Sequence, residues 1–299
     1  MSESRPFPYG GEAVFDGVMM RGASTWALAV RTPSGAIKVE THALAPWMTA
    51  TRRIPLVRGV MALSVSVVLG VRSLHASMRH RSSEPEPALA KVLSAIGVAV
   101  ILSIFLAAPA LLVRLLDDLT TNPWVLSTVE SLVRLLMLLG YIGLLGRAQL
   151  VRDVFRYHSA EHQAIAARES GVTLEPSTVA RYPWAHARCG TSFLFFIVVV
   201  GLVIHALVGN QSAVVIVASR VLVLPLIAGL TFELIRQASR HLDTKWARII
   251  AAPGLAMQRL TTREPTEAHI EVAIAALEAV VAADAKHRVG AASLELAPA

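Results

Sequence analysis

The chain has 299 residues, 54% of them apolar, and its mean hydropathy of +0.56 excludes an ordinary soluble globular protein and points to a polytopic membrane protein. The formal charge of +7 would suit nucleic acid, but the basic residues flank apolar runs instead of forming a stripe interleaved with aromatic residues. The lipid bilayer and its anionic headgroups are therefore the expected partners, and nucleic acid is not.

Residues 1–30 lack a basic segment followed by an apolar one, so no signal peptide is expected. Residues 8–40 hold short apolar runs broken by Gly10, Gly11, Gly17, Gly22 and Gly35. The stretch from Trp26 through Pro33 and Gly35 to Lys38 reads as a hairpin, and residues 1–54 are expected to form a small β-containing cytoplasmic cap. Residues 59–71 are apolar between Arg58 and Arg72, which is 13 residues where a span needs about 20. Residues 55–82 are accordingly expected as an interfacial or re-entrant helix.

Four longer apolar runs follow, from Leu89 to about Leu115, Trp124 to about Leu145, Ser192 to Val208, and Val214 to Ile235, the last interrupted by Arg220. Loops 116–123 and 209–212 contain no Lys or Arg, whereas 147–190 and 236–263 carry many. The positive-inside rule then puts both termini and the central segment in the cytoplasm. The expected fold is mainly α: transmembrane helices 1 and 2 in residues 89–146, a cytoplasmic segment in 147–190, transmembrane helices 3 and 4 in 191–236, and a cytoplasmic C-terminal segment in 237–299. In that last segment Ile270, Ile274, Leu277 and Val280 repeat at helical spacing after Pro265 and Thr266, and the tail beyond Lys286 is expected to fray. Small residues such as Gly97, Ala107 and Ala108 permit close helix association and hence a homo-oligomer.

The pentapeptide His158-Ser159-Ala160-Glu161-His162 carries the clearest chemistry. On a helix, positions four apart stack their imidazoles about 6 Å from each other, close enough to share one ion, with Glu161 beside them. The order His-x-x-Glu-His is the inverzincin pattern, in which the histidines bind zinc and the glutamate activates water. A further ligand is required, and Glu233, His186 and Cys189 are the candidates. Cys189 is the single cysteine, so there is no intrachain disulfide, and a free thiol suits a cytoplasmic face. Cys189 as nucleophile with His186 or His158 is the alternative chemistry. The bland alternative is a solvated juxtamembrane helix. His205 reads as a hydrogen-bonded core histidine, and His42, His75, His80, His269 and His287 as surface residues.

Glu130 and Arg134 lie four apart within one apolar run and Arg220 interrupts another. Charges in lipid cost at least ~2.5–3.5 kcal/mol each at a helix centre, so these three are expected to face one another or water. A packing lock is favoured over an ion or substrate pathway. Neither nucleotide-binding glycine motif occurs, so nucleotide hydrolysis and dinucleotide redox chemistry lack support.

Several longer motifs stand in order: Tyr9-Gly-Gly-Glu-Ala-Val-Phe-Asp-Gly-Val-Met-Met-Arg-Gly22, Arg58-Gly-Val60, Tyr157-His-Ser-Ala-Glu-His162, His186-Ala-Arg-Cys-Gly-Thr-Ser192 and Gln258-Arg-Leu-Thr-Thr-Arg-Glu-Pro265. Together they resemble the YqhQ-like family of bacterial integral membrane proteins, a family of unknown function, over roughly residues 8 to 282. The family pattern has Gly-Ala where this chain has Ser159-Ala160, Glu where it has Asp16 and Pro where it has Ala187. None of these departures touches His158, Glu161, His162, His186 or Cys189. The resemblance implies a bacterial plasma membrane protein with a structured N-terminal cap over the central segment.

The resulting expectation is a divalent metal centre, zinc by its ligand types, on the cytoplasmic face of a multi-pass protein. It would serve a hydrolase acting on a membrane-proximal peptide or lipid, with Glu161 as general base. The alternatives are a non-catalytic adaptor whose polar cluster is structural and whose basic face docks a cytoplasmic protein, and an ion or small-solute carrier using Glu130, Arg134 and Arg220.

Overall fold

The computed structural model describes residues 9–50, 54–81, 88–116, 118–208 and 213–295. Asp117, the loop 209–212 and residues 296–299, which the sequence reading also used, lie outside the described residues.

Strands β1 (Gly10–Val14), β2 (Gly17–Arg21), β3 (Thr25–Arg31) and β4 (Ile37–Ala43) form an antiparallel meander in the order β1-β2-β3-β4. The β3–β4 hairpin turns through Gly35 at φ 86°, a left-handed conformation that suits a residue without Cβ. Side chains alternate across the sheet, as a strand requires. Val18, Met20, Ala27 and Ala29 face one core, shared with helices α5 (Gln149–Glu169) and α11 (Glu267–Glu295). Met19, Trp26, Leu28 and Val30 face a second core, shared with Val65, Leu69 and Ala76 of helix α2 (Val57–Arg81). The cap is thus the middle layer of a helix–sheet–helix sandwich.

A short helix α1 (Trp47–Ala50) leads into α2. The apolar bundle consists of α3 (Ala88–Val113, extended by a 3₁₀ turn to Leu116), α4 (Pro123–Leu145) and α7 (Gly190–Val208), joined by the pair α8 (Ala213–Leu222) and α9 (Leu224–Arg240). Between α5 and α7 lies the one-turn helix α6 (Pro176–Val179), and α10 (Lys245–Thr261) connects the bundle to α11. Among the described residues, four helices are long and apolar enough to cross a membrane: α2, the Ile96–Leu116 stretch, α4 and α7.

The 13-residue apolar run is part of the 25-residue α2, which keeps within the residues 55–82 expected to be helical and continues beyond Arg72 with Ser73 and Ser77 buried and His80 paired to Glu40 of β4. Two boundaries differ from the expectation. The run 214–235 is not one helix. Pro225 sits in the first turn of α9, where its missing N–H and its ring interrupt the ladder, and the chain breaks at Val223. The C-terminal helix continues to Glu295 instead of ending near Lys286.

Asp284 fastens α11 to the sheet. Its carboxylate accepts hydrogen bonds from the N–H groups of Ala23, Ser24 and Thr25 and from the hydroxyls of Ser24 and Thr25, at 2.6–3.0 Å. It therefore caps the β2–β3 turn.

Candidate metal centre

His158, Glu161 and His162 lie on α5 where the helix is buried almost all round, between the sheet, α11 and the 180–189 loop. The two imidazole centroids are 4.3 Å apart, closer than generic helical spacing, because backbone carbonyls hold both rings. His158 Nδ1 lies 2.9 Å from the Thr261 carbonyl oxygen, and His162 Nδ1 meets the Trp184 carbonyl oxygen. A carbonyl only accepts, so each ring carries its proton on Nδ1 and turns an Nε2 lone pair inward. Both lone pairs are turned toward Cys189, with His158 Nε2 3.2 Å from Sγ and His162 beside the same thiol. The ligand atoms of His158, His162 and Cys189 all lie within 4.8 Å of one another.

Cys189 is placed by a turn onto α7, in which its N–H donates to the His186 carbonyl and its Sγ receives the Thr191 N–H at 3.5 Å. Gln258, wholly buried on α10, clamps this turn from behind. It accepts from the His186 N–H at 2.9 Å and donates to the His186 carbonyl at 2.9 Å and to Ser192 Oγ at 3.1 Å. Gln163, one residue beyond His162, donates to the carbonyls of Ala180 and Tyr182 and so fixes the loop that carries Trp184. Burial pushes His162 below its ordinary pKa, which keeps its ring neutral at pH 7.

A thiol has one proton to donate, whereas two imidazole lone pairs face it. A cation among the three satisfies all of them at once. Two neutral imidazoles and a thiolate suit Zn²⁺, and the carbonyl acceptors at both Nδ1 atoms are the outer contacts that zinc-binding histidines usually have. The residues present therefore fit a metal ion with one coordination position left over.

The remaining candidates stand apart from these three. His186 has its ring centroid 5.8 Å from that of His162, and its Nε2 is 3.6 Å from Glu169, which Arg188 also contacts. Glu233 lies on α9, where Arg58 engages both carboxylate oxygens and the Leu56 N–H adds a contact, so its role is to anchor the start of α2. Glu161 is fully buried and accepts from the Gly11 N–H beneath β1. A Cβ at residue 11 would stand 3.0 Å from its Cγ, so glycine is needed there. Burial raises the Glu161 pKa, and the neighbouring Glu12, between Ser66 and Glu161, is pushed up to about 8, first by burial and then by Glu161.

Glu130, Arg134 and Arg220 do meet. Glu130 bridges both arginines across α4 and α8, with Arg134 at 2.6 Å and Arg220 Nε at 2.8 Å, and Arg134 also donates to the carbonyls of Phe105 and Leu106 on α3. His205 is buried as expected, but neither ring nitrogen has a hydrogen-bond partner among the described residues. His269, expected at the surface, is buried against Tyr157 and bonds to Asp153. Sequence reasoning missed Glu12, Gln163 and Gln258 as site residues, although all three adjoin or lie within the motifs above, and it missed the two carbonyls, which leave no sequence signal.

Fold and site together define a mainly helical protein with membrane-length apolar helices, a small N-terminal sheet and a buried His–His–Cys cluster beside that sheet. The chain belongs to the family described as protein of unknown function (DUF1385), which matches residues 54–283. It is 30% identical over 290 residues to the uncharacterized protein YqhQ of Bacillus subtilis (strain 168), covering 90% of this chain and 91% of that one. No solved structure matches.

Proposed function

We propose that the protein is a metal-dependent hydrolase of the bacterial plasma membrane, with a zinc ion held by His158, His162 and Cys189 at the cytoplasmic face. The convergence of two Nε2 lone pairs, each fixed by a carbonyl behind it, on one thiol carries this reading. A divalent ion there would polarise an ester or amide carbonyl and lower the pKa of water. The chain's own residues supply the rest: Glu161, on the same turn of α5, accepts the proton, and β1 shields it from solvent.

Shared packing supports the topology. The sheet, α5 and α11 have one core, so they lie on one side of any membrane the bundle crosses. Between the sheet and α5 run α2, α3 and α4, and an odd number of crossings would separate partners that touch. With α3 and α4 crossing, α2 stays on the sheet's side, where its C-terminal half is packed. By the same parity α7 goes out and the broken pair α8–α9 returns. Both termini and the centre then share one side, and the Lys and Arg of residues 147–190 and 236–263 favour the cytoplasmic one.

A second reading is favoured by one distance. With His158 Nε2 at 3.2 Å from Sγ and Nδ1 oriented by Thr261, Cys189 has the arrangement of a thiol nucleophile and its base. Elemental analysis of the detergent-purified, tag-free protein beside a His158→Ala, His162→Ala double variant separates the two. Near-stoichiometric zinc lost in the variant is the expected result. Absence of metal in both, with Cys189 reactive toward alkylating agents, would move the assignment to the thiol. A Glu161→Gln variant that keeps its metal and loses function separates a hydrolase from a structural lock.

A further inference from the structure

A groove of about 560 Å³ runs between the loop around Trp184 and the exposed side of α10. Its walls are mixed in a particular way. Ala252, Leu255 and Ala256 of α10 and the half-exposed Trp184 make it apolar, and Arg259 stands at its edge with no ion pair or side-chain hydrogen bond among the described residues. Unpaired and exposed, that guanidinium is free to take an anion. The apolar side continues along α10 through Ile249 and Trp246, 72% and 43% exposed, and Leu242 in the turn before the helix, 38% exposed, extends it. These residues recur at i, i+3 and i+4, and Lys245 and Arg248 flank them, the pattern of a helix lying in a membrane interface.

The groove also shares its inner wall with the metal centre. Trp184 gives its carbonyl to His162, Gln258 clamps the turn before Cys189, and Thr262 follows the Thr261 carbonyl that holds His158. We propose that this groove binds an anionic phospholipid as the substrate of the centre, its acyl chain along Ala252 and Ala256 and its phosphate on Arg259. An amphiphile matches a site whose apolar length opens onto membrane-facing surface and whose only unpaired cation sits at one edge among the described lining residues. That the lipid is a substrate rests on the metal-centre reading above; that the groove holds it does not.

The test is photo-crosslinking of the full chain in phosphatidylcholine nanodiscs doped with a diazirine-bearing phosphatidylglycerol, with the labelled peptides mapped by mass spectrometry and zinc measured on the same sample. Crosslinks should fall in residues 182–185 and 252–262, compete with unlabelled phosphatidylglycerol, and drop roughly tenfold in Arg259→Gln, as loss of a charge-assisted contact implies. Ala256→Trp, which fills the groove, should abolish them while zinc stays bound. Equal labelling by a phosphatidylcholine probe, indifference to Arg259→Gln, or full competition by inorganic phosphate alone would overturn the lipid site. Zinc without crosslinks sinks only this proposal. Crosslinks without zinc sink the metal centre and with it the lipid's role as substrate.

Discussion

His158 Nε2 stands 3.2 Å from Cys189 Sγ across 31 residues of chain, and the other nitrogen of the same ring is pinned 2.9 Å from the Thr261 carbonyl. The ring cannot turn away from the thiol without giving up that second contact. Metal occupancy should therefore control the thiol. Alkylation of Cys189 by a maleimide should be slow in the metal-loaded protein and accelerate on chelation, and Co²⁺ substitution should give a thiolate charge-transfer band that Cys189→Ser abolishes. A thiol equally reactive with and without chelator would remove the metal centre.

Gln258 touches no proposed ligand atom, yet it holds the turn that presents Cys189. Gln258→Leu keeps the volume, leaves the His186 N–H without its partner and leaves the His186 carbonyl with only the Cys189 N–H. A loss of about 1–3 kcal/mol in stability is expected. Metal affinity should fall roughly 10- to 100-fold, as for other supporting contacts of metal sites. Competitive chelator titration reads the affinity and thermal unfolding in detergent reads the stability.

Asp284 predicts the acid behaviour of the cap. Burial raises its pKa, but the hydrogen bonds from Ser24, Thr25 and Ala23 outweigh that and hold it below the ordinary value. Because the folded-state value is depressed, its contribution is complete above about pH 3.9, the unfolded value, and is lost as pH falls through the lower folded one. Asp284→Asn should cost roughly 1.5–3 kcal/mol at neutral pH and flatten the acid limb of the stability curve. An unchanged limb in the variant would show that other carboxylates set it.

Glu130 neutralises two buried arginines at once. Glu130→Gln should destabilise by about 3–5 kcal/mol, the cost of leaving a buried ion pair with one partner missing, seen as a lower aggregation temperature in detergent. A stable, folded Glu130→Gln protein would argue that water reaches the cluster and would reopen the carrier reading.

Topology can be read by labelling single cysteines, introduced in a Cys189→Ser background, with a membrane-impermeant reagent on intact cells. Thr120→Cys should label from outside, whereas Ser34→Cys and Arg79→Cys should label only after permeabilisation. Labelling of residue 79 from outside would mean that α2 crosses and that the parity argument fails.

The HSAEH pair was legible because helical spacing alone brings positions 158 and 162 onto one face, whatever surrounds them. Glu233 was as reasonable a third ligand as Cys189 on paper, since both stand near the ends of apolar runs. Arg58 takes the first and the turn after His186 delivers the second, and neither pairing has a local signature. Glu12, Gln163 and Gln258 sit in or beside recognisable motifs, yet what a buried amide or acid does depends on the element that faces it. A helix over residues 55–82 was legible although its apolar run ends at Arg72, but the burial of Ser73 and Ser77 and the pairing of His80 with Glu40 were not, because the facing sheet decides them.

By itself the sequence determined what local physics controls: apolar runs long enough for a bilayer, a β-rich start punctuated by glycines, and two histidines one helical turn apart. Tertiary structure alone decided which thiol meets them, which carbonyls orient them, and that the first sheet, the central helix and the last helix form one core. Those choices join residues 22 to 261 positions apart, and only the packing of whole elements selects among partners so distant in the chain.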